Sequence, residues 1–472
     1  MKGGRPQPSD PGYCQACLEK QQVIDRQMEE IKRLKDNLRR QERTAKEAPF
    51  GASTPSSKRL VKASGTPEAR AKRGGAVPGH DGHGRCAATA EDADSIETLD
   101  APDRCPCCGG PLDDWGARDR TLFDCEPVRR RTRLIRIAAG HCYRCGKTFR
   151  RKTPGVLPRS SCANRLLAQT AVWHFVDGLT LGHIARQFGV PEGTLIGRMH
   201  ALAVLFRPAA DALVLDYRVA RVKHADETGW RCDGKNGYTW GFFTASISIF
   251  RCRDTRSGDV AADVFGEASE HTGTLVVDRF GGYNRFRGAI QYCYAHLARD
   301  VKTLPEENPG NAECAVFAQT FSPLLGQAMR LRGEQQDDAM FCAEAATIKR
   351  QIEACVAMPA RHPSVQHIQN IFREHSDRLY HWTQSRDIPA DNNRAERELR
   401  PLVIARKISF GSQSEKGLQT REILMTVLNS LAKRTDDVTG AFTRALDAIV
   451  ENPALDTVNF LFAPGGIAPS TG

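Results

Sequence analysis

Three acidic positions have the neighbours that divalent-metal chemistry requires. His224-Ala-Asp226-Glu227-Thr-Gly-Trp230 ends a β-rich run in an acidic pair followed by a turn. Side chains alternate across a strand, so Asp226 and Glu227 are expected on opposite faces, with only one of them in a given site. Thr274-Leu-Val-Val-Asp278 reads as a buried strand that delivers Asp278 to the edge of a sheet, just before Arg-Phe-Gly-Gly-Tyr283. Glu396, in Asp391-Asn-Asn-Arg-Ala-Glu396-Arg-Glu-Leu-Arg400, opens a helix. Two aspartates from strands and one glutamate from a helix suit hard divalent cations, which take oxygen ligands. Such cations, held roughly 4 Å apart, activate an attacking oxygen and stabilise a leaving one in phosphoryl transfer. Mg2+ is the expected metal and Mn2+ its substitute. Plainer roles fit the same residues: Asp226 opening a turn, Asp278 capping the Gly-Gly turn, and Asn393 to Glu396 forming a capping box, with Glu396 and Arg400 at ion-pair spacing. Asp233, Asp254 and Glu398 are rival carboxylates.

Cysteines make a second group. Cys105-Pro-Cys107-Cys108-Gly and Cys142-Tyr-Arg-Cys145-Gly are two C-x2-C-G turns flanking a segment with β character. Each turn offers two sulfurs from a tight loop, and a tetrahedron of four thiolates is what structural zinc takes. The spacing predicts a zinc ribbon with Cys105, Cys108, Cys142 and Cys145 as ligands, leaving Cys107 and Cys125 without a role. Free buried thiols are the plain alternative.

Basic residues crowd the third acid. Arg394, Arg397, Arg400, Arg406 and Lys407 outnumber Glu396 and Glu398. Arg397, Arg400, Arg406 and Lys407 are candidate contacts to a phosphate backbone, with a solvated charged helix as the other reading. Trp230 and Trp240 have faces that stack on bases, but such residues more often pack in a core. Cys293-Tyr-Ala-His296 has metal-ligand residue types without a second pair, so His296 reads as lining a site or a core.

These side chains need elements to position them. Short β-rich runs at RVKHAD, YTWGFFTA, SIFRCR, TLVVD and QYCYAH predict five strands, with a helix at Asp259–Glu267 before the fourth. Helical periodicity marks residues 305–388 and resumes at about Asn393. Upstream, residues 154–212 are helical, and Ala185, Gly189 and Leu195 occupy the small, turn and packing positions of a helix-turn-helix whose second helix starts near Pro191. DNA reading by that helix and a packing module are equally good accounts of it. Residues 1–43 hold a helix with Ile24, Ile31, Leu34 and Leu38 at heptad spacing, interrupted by Gln27 and Gln41. A short coiled coil and a solvated helix both fit. Residues 44–103, rich in Ala, Gly, Ser, Pro and scattered bases, read as a flexible basic linker. The expected organisation is therefore multidomain α/β: an N-terminal helix (1–43), linker (44–103), ribbon (104–153), helical region (154–212), a core (213–435) with a helical insertion at about 305–388, and a C-terminal region (436–472).

Composition narrows the function classes. The 472 residues carry 67 Lys plus Arg against 56 Asp plus Glu, a formal charge of +11, which favours a polyanionic partner. A hydrophobic content of 40% supports a sizeable core and excludes a wholly disordered chain. No stretch reaches the roughly 20 apolar residues of a membrane span, and the N-terminus lacks the apolar core of a signal peptide. A cytoplasmic protein with no membrane partner is expected, and in that reducing compartment paired cysteines favour metal over disulfides.

Taken in order, Gly79-His-Asp-Gly-His83-Gly-Arg, the cysteine ribbon, HADETGW, VVDRFGGYN, CYAHLARD and NNRAERELRPLVIARKISFGSQSEKG make a set that resembles the transposases of the IS66 family of bacterial insertion sequences. The pieces span about residues 79 to 435. The resemblance implies a ribonuclease-H-like catalytic core of the DDE type, a mixed five-stranded sheet with helices and a helical insertion, preceded by a zinc ribbon and a helical DNA-binding region. It places Asp226, Asp278 and Glu396 at the matching acidic positions as catalytic, metal-holding residues. It also implies binding to the element's ends and to target DNA, a homo-oligomer on DNA, small accessory proteins of the same element, and association with the bacterial nucleoid. The weak N-terminal heptads depart from the family's pattern.

The expected function is a DNA transposase that cleaves and joins strands. Two others fit the same residues: a zinc-ribbon, helix-turn-helix regulator with an inactive ribonuclease-H-like core, and a nuclease that cuts without joining.

Overall fold

Consecutive large apolar residues along neighbouring strands dictate a sheet buried on both faces. In the computed structural model, Phe242 and Ile249 enter one hydrophobic cluster while their chain neighbours Phe243 and Phe250 enter another. The structure describes residues 152–334 and 336–463, together with 128–137, the backbone of the strands at 139–142 and 147–150, and Gln27, Glu30, Glu91 and Cys145. Two compact units divide the chain, Leu60–Leu134 and the remainder. Of the first, Glu91 and 128–134 are described, and 128–134 are exposed.

The second unit contains a two-stranded antiparallel ribbon, β1 (Ala139–Cys142) and β2 (Lys147–Arg150). Three helices follow, α1 (Asn164–Phe175), α2 (Leu181–Phe188) and α3 (Glu192–Val219). Then comes the five-stranded sheet of β3 (Val222–Cys232), β4 (Lys235–Phe243), β5 (Ser248–Arg253), β6 (Thr274–Val277) and β7 (Ala289–Tyr292). Its order is β5-β4-β3-β6-β7, with β5, β4 and β3 antiparallel and β3, β6 and β7 parallel. Helix α4 (Asp259–Phe265) lies between β5 and β6 in sequence, and α5 (Tyr294–Glu307) follows β7. Helices α6 (Ala312–Arg330), α7 (Asp338–Ala357) and α8 (Pro363–Glu374) form the insertion. The chain then returns through α9 (Asn393–Ser409), α10 (Glu415–Ala432), α11 (Val438–Glu451) and α12 (Thr457–Phe462). This mixed five-stranded sheet with flanking helices is the arrangement of a ribonuclease-H-like core. Among the described residues no helix is long and apolar enough to cross a membrane.

All five expected strands and the helix before the fourth are present. One boundary differs in a way that matters. The first strand does not end at the acidic pair but continues to Cys232, and the chain reverses at Asp233-Gly234, both with positive φ, in a two-residue hairpin loop. That conformation is the one that matches the twist of antiparallel strands, and Asp-Gly adopts it readily.

Helices α2 and α3 meet around Ile184, Ala185, Phe188 and Leu195, and Gly189 makes the left-handed turn between them. The second of them runs on for 28 residues, and its later part packs into the cores of the sheet, so the pair is not a separate module. The heptad residues Ile24, Ile31, Leu34 and Leu38 and nearly all of the linker lie outside the described residues, as do Cys105, Cys108 and the side chain of Cys142. Cys145 sits exposed in the turn that joins β1 to β2.

Close packing of α9 on the sheet requires Gly241. A Cβ there would lie 3.0 Å from Leu399 Cδ2 and would run into the Phe243 ring. Gly241→Ala is therefore expected to destabilise the fold by about 1–3 kcal/mol through overpacking, measured by denaturant unfolding; an unchanged midpoint would mean that α9 yields easily.

Candidate active site

Strand register puts two aspartates level with one another. Val222, Lys223 and His224 of β3 pair with Thr274, Leu275 and Val276 of β6. Continuing that register sets Asp226 opposite Asp278, the residue that follows the last one of β6. β6 stops at Val277 while β3 goes on, paired from there with β4 alone, Asp226 opposite Gly241 and Glu227 opposite Trp240. The side of β3 vacated by β6 is where the acidic groups gather.

Asp226, Glu227 and Asp278 bring ligand oxygens within 4.8 Å of one another, and they are the metal-competent group among the described residues. The expectation that Asp226 and Glu227 exclude each other is thus corrected. Alternation governs Cβ directions; β3 stays paired with β4 here, but its other side is open past the end of β6, where the carboxylate oxygens of both residues meet Asp278. Asp226 folds back so that its Oδ1 accepts the Glu227 N–H at 2.8 Å. Glu227 is buried, with Arg256 donating to its Oε1 from Nε at 2.9 Å and again from Nη2, and the Tyr283 hydroxyl donating to its Oε2. Arg256 stacks on Phe280, 4.0 Å from the ring centroid, which fixes the guanidinium. Asp278 Oδ1 accepts the Phe280 N–H at 2.9 Å.

Burial and mutual repulsion shift these acids. Burial first, then Glu227, Asp278 and Glu396, raises Asp226 well above the usual carboxylate range. Burial first and Glu227 second push Asp278 up to about 7, against the pull of the Phe280 N–H and of Arg256 and Arg279. A hard divalent cation relieves both causes, so the donor set fits such an ion.

Glu396 stands in the first turn of α9, outside the 4.8 Å group although close enough to act on Asp226. Its Oε1 lies 3.4 Å from Arg299 Nη2 and 3.9 Å from His296 Nε2, both on α5. The capping-box alternative is not realised, since Asn392 is the N-cap and makes no side-chain cap bond. Of the rival acids, Asp233 and Asp254 are exposed, and Glu398 is held by Lys433 at 2.6 Å and Ser248 at 2.7 Å. Arg397, Arg400 and Lys407 are exposed on α9, whereas Arg406 donates to Thr228 Oγ1 at 3.2 Å and to the Gly229 carbonyl. Trp230 and Trp240 are core residues.

Asn392, which the sequence did not single out, ties the helix to the strand. It is 1% exposed. Its Nδ2 donates to the carbonyl of Ala225 at 2.8 Å, one residue before Asp226. That leaves Oδ1 to accept from His224 Nδ1 at 2.9 Å, while the Asn392 N–H meets Cys293 Sγ at 3.0 Å. Burial pushes His224 down to about 3, so the imidazole is neutral and a single tautomer donates. Glu227 was available to sequence reasoning as the second half of the acidic pair, and Tyr283 as part of the Gly-Gly-Tyr turn. Nothing local marks Arg256.

Residues 159–420 match the family model described as Transposase IS66 family. No curated protein matches the chain.

Two outcomes follow from this geometry. An aspartate titrates near pH 4 when unfolded, so between about 4 and 7 the folded protein holds the proton on Asp278 that the unfolded chain has lost. Metal-free stability therefore falls as pH rises through that window, Asp226 extends the fall upward, and Mg2+ or Mn2+ binding strengthens with pH because it displaces those protons. Thermal melts from pH 4 to 8 with and without metal check this; Asp278→Asn should flatten the metal-free slope. Separately, Asn392→Ala should cost about 2–4 kcal/mol in urea unfolding, because it breaks both side-chain bonds and strands their buried partners at Ala225 and His224.

Proposed function

The chain belongs to the transposase IS66 family, and from that premise we propose that it is a DNA transposase: it binds the terminal inverted repeats of an insertion sequence and catalyses metal-dependent strand cleavage and strand transfer. The observation that carries this reading is the group of Asp226, Glu227 and Asp278, gathered where the parallel pairing of β3 and β6 ends, inside the matched region. Asp226, Asp278 and Glu396 are the catalytic carboxylates of the proposal, and Glu227 joins them.

In the first step water attacks the phosphorus at the element's end, the bond from phosphorus to the 3′ oxygen breaks, and the element is left with a 3′ hydroxyl. In the second, that hydroxyl attacks a target phosphodiester in line and expels the target's 3′ oxygen. Bound divalent cations supply Lewis acidity at the phosphorus and at the attacking and leaving oxygens. The protein's share is to hold and orient. Asp226 and Asp278 present carboxylates fixed by backbone N–H groups, Glu227 is clamped by Arg256 and Tyr283, and the Asn392 tie sets the start of α9. Arg397, Arg400 and Lys407 offer charge to the DNA backbone, while Arg406 supports β3. The helix-turn-helix of α2 and α3 and a zinc ribbon held by Cys105, Cys108, Cys142 and Cys145 contribute the binding of DNA ends in this proposal.

Purified wild type and Asp226→Asn, incubated with a labelled fragment carrying the element's ends with and without Mg2+ or Mn2+, test the assignment on a denaturing gel. Wild type is expected to yield 3′-end cleavage and joined products only with metal, and the variant to lose on the order of a thousand-fold or more in rate while retaining DNA binding. Binding without cleavage in every lane would favour a regulator, and cleavage without joining a nuclease.

A further inference from the structure

Beside the carboxylates lies a second charged group, for which the chemistry above has no use. Arg279 follows Asp278 directly, and its Nη2 donates to Asp300 Oδ2 at 2.6 Å. Asp300, Arg299 and His296 share the first half of α5, and Arg299 and His296 both face Glu396. Asp300 and Arg279 both act on His296, so the five side chains form one connected network.

The network is short of acceptors. Arg279 Nη1, Arg299 Nη1 and His296 Nδ1 are buried without a hydrogen-bond partner, three of the seven such side-chain atoms among the described residues. His296 is 9% exposed and the Arg279 side chain 14%. A guanidinium nitrogen shut away from water with nothing to donate to is costly. An anion would supply the missing acceptor, and a guanidinium matches phosphate in shape as well as charge.

We propose that Arg279, Arg299 and His296 form a seat for one phosphodiester group of the DNA strand, next to the carboxylate cluster, and that Asp300 and Glu396 hold the two arginines until DNA arrives. This rests on the reading of the site as one that acts on DNA. Seating the phosphate gives Arg279 Nη1 and Arg299 Nη1 an acceptor, and it frees the Glu396 carboxylate from Arg299 so that it can turn toward Asp226 and Asp278. Substrate binding and completion of the acidic set are then one event. His296 is a positioning residue here, and burial keeps it below its ordinary pKa, so it adds no charge of its own.

The test separates seating from chemistry by measuring duplex binding in buffer free of Mg2+ and Mn2+ and without a chelator, so that no cleavage occurs and any zinc stays bound. The full chain is titrated with a labelled duplex of the element's end over a range of salt concentrations. Arg279→Gln and Arg299→Gln should each weaken binding about ten-fold and lower the salt slope by about 0.9. Arg279→Lys and Arg299→Lys should restore part of the affinity, and circular dichroism melts verify that every variant folds. Replacing the phosphate at the element's end by an uncharged methylphosphonate should weaken wild type but leave Arg299→Gln no weaker than before. Glu396→Gln should tighten metal-free binding, since it releases Arg299. Glutamine variants that bind with wild-type affinity and slope would overturn the seat, as would a methylphosphonate penalty of equal size in wild type and Arg299→Gln, or a wild type that binds no duplex. A wild type that shows the expected binding pattern yet neither cuts nor joins DNA with Mg2+ would count against the transposase reading and leave the seat standing.

Discussion

Carboxylates repel one another most where water is scarce, and this fold places three of them together where the parallel pairing of two strands ends. Asp226 and Asp278 respond by holding protons far above their ordinary range. Keeping such a group assembled takes support from several directions: a backbone N–H for each aspartate, and an arginine and a tyrosine for Glu227. Those supports come from β3, the segment after β5, and the turn after β6. Tight packing behind them, with Trp240 set against Phe280 and Tyr283, keeps the clamp in place. The repulsion that burdens the metal-free protein is what makes the group attractive to a divalent cation.

The remaining charges are distributed so that opposite signs meet around the rim. Arg256 serves Glu227, Arg279 serves Asp300, and Arg299 serves Glu396. Exposed bases of α9 extend the positive surface away from the acids. Arg397, Arg400 and Lys407 are exposed there, which gives the net charge of +11 a local meaning.

Much of this could be read from the sequence because it depends on short-range pattern. Short runs rich in β-branched and aromatic residues announce the strands, four apolar-rich positions announce the strand before Asp278, and a change to helical spacing announces the insertion. The acids at 226 and 278 were legible since each closes such a run. That Glu227 joins them is not legible, because its placement depends on β6 stopping one residue short of Asp278, a property of tertiary pairing that period-two alternation along β3 does not encode. The same holds for Arg256, Arg279 and Asn392, whose partners lie far away in the chain. Two helices with a turn at Gly189 are legible in the same way, yet the merging of the second helix with the core depends on packing that only the folded chain displays.

The neck of the insertion has a consequence for how such a chain can change over time. Tyr294 N–H bonds the Ala390 carbonyl at 2.8 Å, and the Asn392 N–H meets Cys293 Sγ at 3.0 Å. Everything between leaves from and returns to the same point, so α6, α7 and α8 form an excursion closed at its base. Lengthening or shortening that excursion leaves Cys293 and Asn392 where they are. The spacing between the second aspartate and the helical glutamate is therefore a poor ruler of ancestry, and the residues at the neck are a better one.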